Sequence, residues 1–190
     1  MRAQSKWLSY TREEAQRMKG LVEDLLFLAK SDAQRESRAR LPVDLSGLVT
    51  GCLLPFEPVA FEAGVALESR LSPGLTVTGD EGQLRRLVLI LLDNAVKYTP
   101  EGGAVTVALV RVQERARLTV HNTGEAIPPE HLEHLFERFY RSDSARTRQA
   151  GGYGLGLAIA KSIAEGHRGK ISVSSGAEGT TFTVLLPTAK

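Results

Sequence analysis

Positions Leu8, Thr11, Ala15, Met18, Val22, Leu25 and Ala29 follow one another at alternating spacings of three and four. That period of 3.5 predicts a single helix over residues 6–31 carrying the seam of a coiled coil or four-helix bundle. Leu21 and Leu28 widen the apolar stripe, as a bundle helix requires. The plainer alternative is an amphipathic helix lying on whatever follows it. Residues 32–41 are polar and aperiodic, and read as a linker. A compact domain is expected to begin near Leu41-Pro42-Val43-Asp44. A helical pattern follows over 46–63, which Pro55 and Pro58 should kink or interrupt. Alternation predicts strands at 65–71 and 75–78. The strongest helix covers 81–98, with Leu84, Leu87, Val88, Leu91, Leu92 and Ala95 on one face. Strands are expected at 104–112 and 116–121, and a short helix at 129–135. A Gly/Ser/Arg-rich loop over 141–153, a helix over 154–166, and strands at 170–174 and 180–186 complete the chain. Consecutive strands look like hairpins. The fold class expected is therefore α+β: a two-layer α/β sandwich with a mixed sheet, preceded by the bundle helix.

Composition narrows the classes. The 190 residues suffice for one domain with an appendage, and 42% hydrophobic residues can fill a core. The net charge of +2, with Lys and Arg spread along the chain, gives no footprint for nucleic acid. The lone cysteine, Cys52, sits in an apolar stretch and reads as a small buried hydrophobe in a reducing compartment. No segment approaches the roughly 20 apolar residues of a membrane span. Met1-Arg2-Ala3-Gln4-Ser5-Lys6 leads into a charged helix rather than a signal peptide.

Four short motifs carry the chemistry. On the 81–98 helix, Asn94 and Lys97 are three apart and share a face, with Tyr98 beside them. An amide oxygen suits magnesium, which prefers hard oxygen ligands, and a lysine reaches phosphate oxygens. Taken alone, they read rather as the solvated end of a helix, where Lys is common. Asn122-Thr123-Gly124-Glu125-Ala126-Ile127-Pro128 follows a strand as a turn, and Gly124 lets a ligand approach the backbone. Phe136-Glu137-Arg138-Phe139-Tyr140-Arg141 is compact and aromatic. Phe136 and Phe139 are expected to anchor the base of a lid in the core. Residues 142–151 hold nothing apolar larger than alanine and should be mobile. Arg146 and Arg148 read as solvated loop charges. Gly152-Tyr153-Gly154-Leu155-Gly156-Leu157 then opens a helix, where backbone amides cradle phosphate. It is neither a dinucleotide fingerprint nor a P-loop, because the required Gly and Gly-Lys-Ser/Thr positions are not filled.

In this order the motifs resemble the N, G1, F and G2 boxes of sensor histidine kinases, in the GHKL (Bergerat-type) ATP-binding superfamily. The closing Gly179-Thr180-Thr181-Phe182 strand is similar too. The resemblance implies that residues 1–31 are the second helix of a dimerisation hairpin. It makes 32–42 a linker and 43–190 the catalytic ATP-binding domain. It implies Asn94 as a magnesium ligand, Lys97 and Arg141 as phosphate-contacting catalytic groups, and ATP and Mg²⁺ as ligands. The remaining nucleotide contacts it implies are Tyr98, Asn122, Gly124, Ala126, Ile127, Phe139, Gly152, Gly154, Leu155, Gly156, Leu157 and Thr180. The intact protein would move the γ-phosphoryl group of ATP to a histidine and on to an aspartate of a response regulator. It would be a homodimer through the first helix, with this portion cytoplasmic and a bacterial inner membrane reached through upstream segments.

The chain departs from the pattern at instructive places. Asn122 stands for the family's adenine-reading Asp, and Ala126 for its second Gly. An amide still accepts a hydrogen bond, more weakly than a carboxylate. Ile90 occupies the position where related ATPases carry a water-activating Glu, and isoleucine is no base. Transfer is thereby favoured over hydrolysis. His121, His131, His134 and His167 all lack the family's phosphoacceptor context, so the acceptor is expected on another helix. His131 and His134 share a face, and without a third ligand they read as exposed residues rather than a metal site. The rival readings are a stand-alone serine kinase of the anti-sigma-factor type and a non-catalytic module with a degenerate ATP site.

Overall fold

The computed structural model describes residues 2–33, 40–141 and 153–189. The chain divides into two compact units, Met1–Arg35 and Glu36–Lys190. The first is one helix, α1 (Arg2–Ala33), two residues longer at its C-terminal end than its seam predicts. Along it Met18, Val22 and Leu25 are exposed, Met18 by 60%. The side chain of Leu8 and the linker residues 34–39 lie outside the described residues.

The second unit is an α+β sandwich. Its sheet holds β2 (Ala66–Leu71), β4 (Ala104–Val112), β5 (Arg115–Asn122), β6 (Lys170–Gly176) and β7 (Gly179–Pro187) in the order β2-β4-β5-β7-β6. Only the β2–β4 pair is parallel; the others are antiparallel. Val105, Val107 and Leu109 of β4, Leu118 and Val120 of β5, and Phe182, Val184 and Leu186 of β7 alternate onto the buried face. Helix α4 (Glu81–Tyr98) packs on β5, and α6 (Gly156–Gly166) on β6 and β7 and against α4. Short helix α5 (Pro129–Leu132) precedes the Phe136–Arg141 segment.

Helix α4 explains its own limits. Asp80 caps its start, accepting from the Gln83 N–H at 2.9 Å. Thr99 closes its end through the Ala95 carbonyl, and Pro100 prevents continuation. Its predicted apolar face is wholly buried, and each such leucine stabilises the fold by about 1.5–3 kcal/mol.

The 46–63 segment is two helices, α2 (Leu45–Leu53) and α3 (Phe56–Glu62), broken as expected where Pro55 interrupts the hydrogen-bond ladder, while Pro58 falls in the first turn of α3, where a proline is tolerated. Two features differ from the sequence expectation. Leu41–Asp44 is a strand, β1, paired antiparallel with β3 (Thr76–Gly79) in a separate ribbon. Strands β2 and β3 therefore do not form a hairpin; β2 joins β4 in parallel across the α4 crossover. None of the described helices is long and apolar enough to cross a membrane.

Candidate nucleotide site

The C-terminal end of α4 presents Asn94, Lys97 and Tyr98, all half-buried. Amphipathic spacing fixes this: Ala95 and Val96 are turned inward, so their neighbours emerge at the rim. The Lys97 Nζ lies 5.4 Å from the Tyr98 ring centroid. Burial pushes the Lys97 ammonium below its ordinary value; Asp93 opposes this, and Arg141 adds to it. A partly desolvated lysine near a second cation is a place where anionic oxygens restore the balance of charge.

The turn after β5 is pressed against this helix end. Asn122, 6% exposed, is the last residue of β5, and its Nδ2 donates to the Thr123 carbonyl at 3.2 Å. Gly124 has a φ of +149°, and a side chain there would come within 3.3 Å of the Tyr98 carbonyl. Glycine thus allows both the dihedral and the approach. Thr123 ties the turn to β4 by accepting from the Ala104 N–H and donating its own N–H to the Ala104 carbonyl. Ala126 is exposed and Ile127 half-buried. Thr180 is buried and lies opposite Asn122 in the β5–β7 ladder.

The Phe136–Arg141 segment and the glycine loop meet at a backbone clasp. The Phe139 N–H donates to the Gly154 carbonyl at 3.0 Å. A Cβ on Gly154 would lie 2.8 Å from the Phe139 carbonyl carbon and the Tyr140 oxygen. Phe136 meets Phe182 edge-on at 6.3 Å between centroids, as an anchor should. Phe139 does not anchor: it is 59% exposed, with φ at +64°. The left-handed backbone that makes the clasp turns its ring out of the core. Arg141 is half-buried, while Gly152, Arg146, Arg148 and the 142–151 loop lie outside the described residues.

Leu155 is buried, and Leu157 is half-buried in the first turn of α6. Helix α6 has no side-chain cap at its start, leaving backbone N–H groups for an anion. A Cβ on Gly156 would sit 3.4 Å from Ile90 Cγ2. Ile90 thus puts a hydrocarbon surface against the glycine loop, and Asn94 follows one turn later on the same face of α4.

The structure thereby brings together Asn94, Lys97, Tyr98, Asn122, Gly124 and Thr180 around one helix end, with Gly156 against Ile90, Gly154 against Phe139 and Arg141 within electrostatic reach of Lys97. Two contacts escaped sequence reasoning. Ser175 accepts from the Ile127 N–H at 2.9 Å, and His131 Nδ1 bonds the Tyr140 hydroxyl at 2.5 Å. Neither Ser175 nor His131 lies in a motif, and only the strand register and the turn before Arg141 reveal them. His134 pairs with Glu137 at 2.8 Å, which raises its pKa, first through the hydrogen bond and then through charge. Among the described residues no three His, Cys, Asp or Glu side chains cluster for a metal. A magnesium ion here would depend on the Asn94 amide and on ligand phosphates, a donor set that suits an ion keeping most of its waters.

Comparison with known proteins places this geometry. Residues 79–190 match the family described as Histidine kinase-, DNA gyrase B-, and HSP90-like ATPase. Over 175 residues the chain is 41% identical to Sensor histidine kinase CusS of Escherichia coli O157:H7, covering 92% of this chain and 36% of that protein. It thus spans little more than a third of that relative's length. Among solved structures it resembles the mycobacterial sensor histidine kinase MprB, with 35% identity and a TM-score of 0.71 over 78% of this chain and 98% of that one. It also resembles full-length ShkA in complex with AMPPNP, with 30% identity and a TM-score of 0.85 over 97% of this chain and 39% of that one. The chain therefore belongs to the histidine kinase-, DNA gyrase B- and HSP90-like ATPase family, as a catalytic ATP-binding domain of the sensor histidine kinase type.

Proposed function

We propose that this domain binds ATP with Mg²⁺ and presents the γ-phosphate to a histidine carried on another helix, from which it passes to a response-regulator aspartate. The observation that carries the reading is the convergence at the end of α4. Lys97 sits within electrostatic reach of Arg141, and the glycine loop packs one turn away at Ile90. ATP supplies the phosphoryl group, and Mg²⁺ would neutralise its oxygens from Asn94. Lys97 and Arg141 would hold the phosphates and favour the charge that spreads over them during transfer. Asn122 would accept from the adenine amino group, with Thr180 bordering the base and Tyr98, Gly124, Ala126 and Ile127 forming its walls. The hydrocarbon of Ile90 offers no base to a water molecule, which favours transfer over hydrolysis.

Residues 1–31 would serve as the second helix of a dimerisation hairpin, with 32–42 as linker and 43–190 as the catalytic domain. The exposed Met18, Val22 and Leu25 suit pairing in a homodimer. The whole protein would reach a bacterial inner membrane through segments outside this chain, with this portion in the cytoplasm. Incubation with γ-labelled ATP tests the transfer. The chain alone should take up no acid-labile phosphate, while a histidine-bearing hairpin supplied in trans should. Acid-labile phosphohistidine on this chain would overturn the assignment.

A further inference from the structure

Three polar side chains stand in one row at the end of the sheet. In the strand register Thr180 of β7 lies opposite Asn122 of β5 on one side and opposite Ser175 of β6 on the other. Asn122 and Thr180 are buried, and Ser175 is half-buried. Ser175 and Thr180 share a hydrogen bond of 2.7 Å between hydroxyls. Ser175 Oγ also accepts from the Ile127 N–H at 2.9 Å and lies 3.4 Å from the Gly179 carbonyl. One hydroxyl therefore joins β6, β7 and the far end of the Asn122–Ile127 turn.

Ser175 Oγ has one proton to give and two lone pairs, one of them filled by the Ile127 N–H. Two arrangements satisfy its hydroxyl contacts: Ser175 donates to Thr180, or Thr180 donates to Ser175 and Ser175 to the Gly179 carbonyl. Only the first leaves Thr180 its own proton for another acceptor, and a bound ring nitrogen would select it. Asn122 supplies the complementary polarity: one of its two Nδ2 protons goes to the Thr123 carbonyl, which fixes the amide, and Oδ1 is its acceptor atom. A donor and an acceptor side by side match a ring nitrogen next to an exocyclic amino group. Guanine offers a protonated ring nitrogen next to a carbonyl, the opposite order.

We propose that Ser175 is a positioning residue for base recognition, which orients the Thr180 hydroxyl and pins the Asn122–Ile127 turn so that the row selects a 6-aminopurine. The proposal rests on the reading of Asn122 as the base-contacting residue. It gives Ser175 no contact with phosphate or metal.

Calorimetric titration of the whole chain with ATP, ADP and GTP tests it, using Ser175→Ala, Ser175→Thr and Asn122→Ala. Ser175→Ala should weaken ATP and ADP equally, by roughly tenfold, the loss expected when about one hydrogen bond's worth of ordering goes. The preference for ATP over GTP should fall with it. Ser175→Thr, which keeps the hydroxyl, should restore both, an outcome that loss of mere strand stability does not predict. If Ser175→Ala binds as the wild type does while Asn122→Ala loses affinity, the role of Ser175 is wrong and the base reading stands. If neither variant loses affinity, both are wrong. Should Ser175→Ala fail to fold, Thr180→Val breaks the same pair from the other side and is judged by the same ATP-to-GTP ratio.

Discussion

Replacing His167 by leucine should destabilise the domain by an amount that depends on pH. His167 is 6% exposed and lies just beyond the end of α6. Its Nδ1 donates to the Ile163 carbonyl at 2.8 Å, and its Nε2 accepts from the Asp80 N–H at 3.0 Å. One ring thus ties the end of α6 to the start of α4. Leucine keeps the volume and removes both bonds. The Ile163 carbonyl still receives the backbone N–H of residue 167 at 3.1 Å, so the bond whose loss counts is the one from the Asp80 N–H to the ring. Such a loss costs about 1–3 kcal/mol. For a chain of this size that lowers Tm by roughly 2–4 °C per kcal/mol.

The pH dependence follows from the tautomer. Nε2 accepts only while the ring is neutral; a second proton would set donor against donor. Burial lowers the His167 pKa most; the Ile163 bond opposes this, Arg40 lowers it further and Asp80 raises it. A depressed folded-state pKa means that the unfolded chain binds the proton more readily. The stabilisation is therefore complete above the unfolded value of about 6.5 and is lost as pH falls below it, by at most about 1.4 kcal/mol per pH unit for one proton. Urea melts followed by far-UV circular dichroism between pH 8 and pH 5 should show the gap between wild type and His167→Leu shrinking as the solution is acidified. His134 has a raised pKa and acts with the opposite sign, but it titrates in both proteins and cancels from the gap. A gap that stays constant or widens toward pH 5 would refute the neutral, bridging ring.

Asn94→Ala should weaken nucleotide binding in Mg²⁺ by roughly tenfold or more and leave metal-free binding nearly unchanged, as for loss of a metal-site contact; equal losses in calorimetry would remove Asn94 from the metal. Asn122→Asp should improve ATP affinity by about 1 kcal/mol, roughly fivefold, because a charged acceptor binds more strongly than a neutral one. It should also lower the Tm of the ligand-free protein, since the Thr123 carbonyl loses its donor and a carboxylate is left in a buried place. GTP gaining as much as ATP would show that Asn122 does not read the base.

Helix α4 was legible to the residue because every local signal agreed: an Asp cap, a clean apolar face and a proline after the last turn. The four motifs were legible for the same reason, each being a short run with fixed spacing. Non-local pairing was not. Nothing in Leu41–Asp44, with its proline, announces a strand, and nothing in β2 reveals a parallel partner more than thirty residues away. Phe139 shows a different limit. Its hydrophobicity predicted burial, while the Gly154 clasp, visible only in three dimensions, sets its backbone and exposes the ring. His167 and Ser175 gave no signal either, because a single polar residue at a helix or strand end acquires its role from partners far along the chain.

Calorimetric titration of the chain with ATP, in Mg²⁺ and in chelator, decides whether the end of α4 is a nucleotide site. The convergence of Asn94, Lys97, Asn122 and Arg141 predicts saturable binding of one ATP that tightens with Mg²⁺ and is markedly weaker for GTP. Absence of ATP binding in both conditions, or binding indifferent to base and metal, would contradict it.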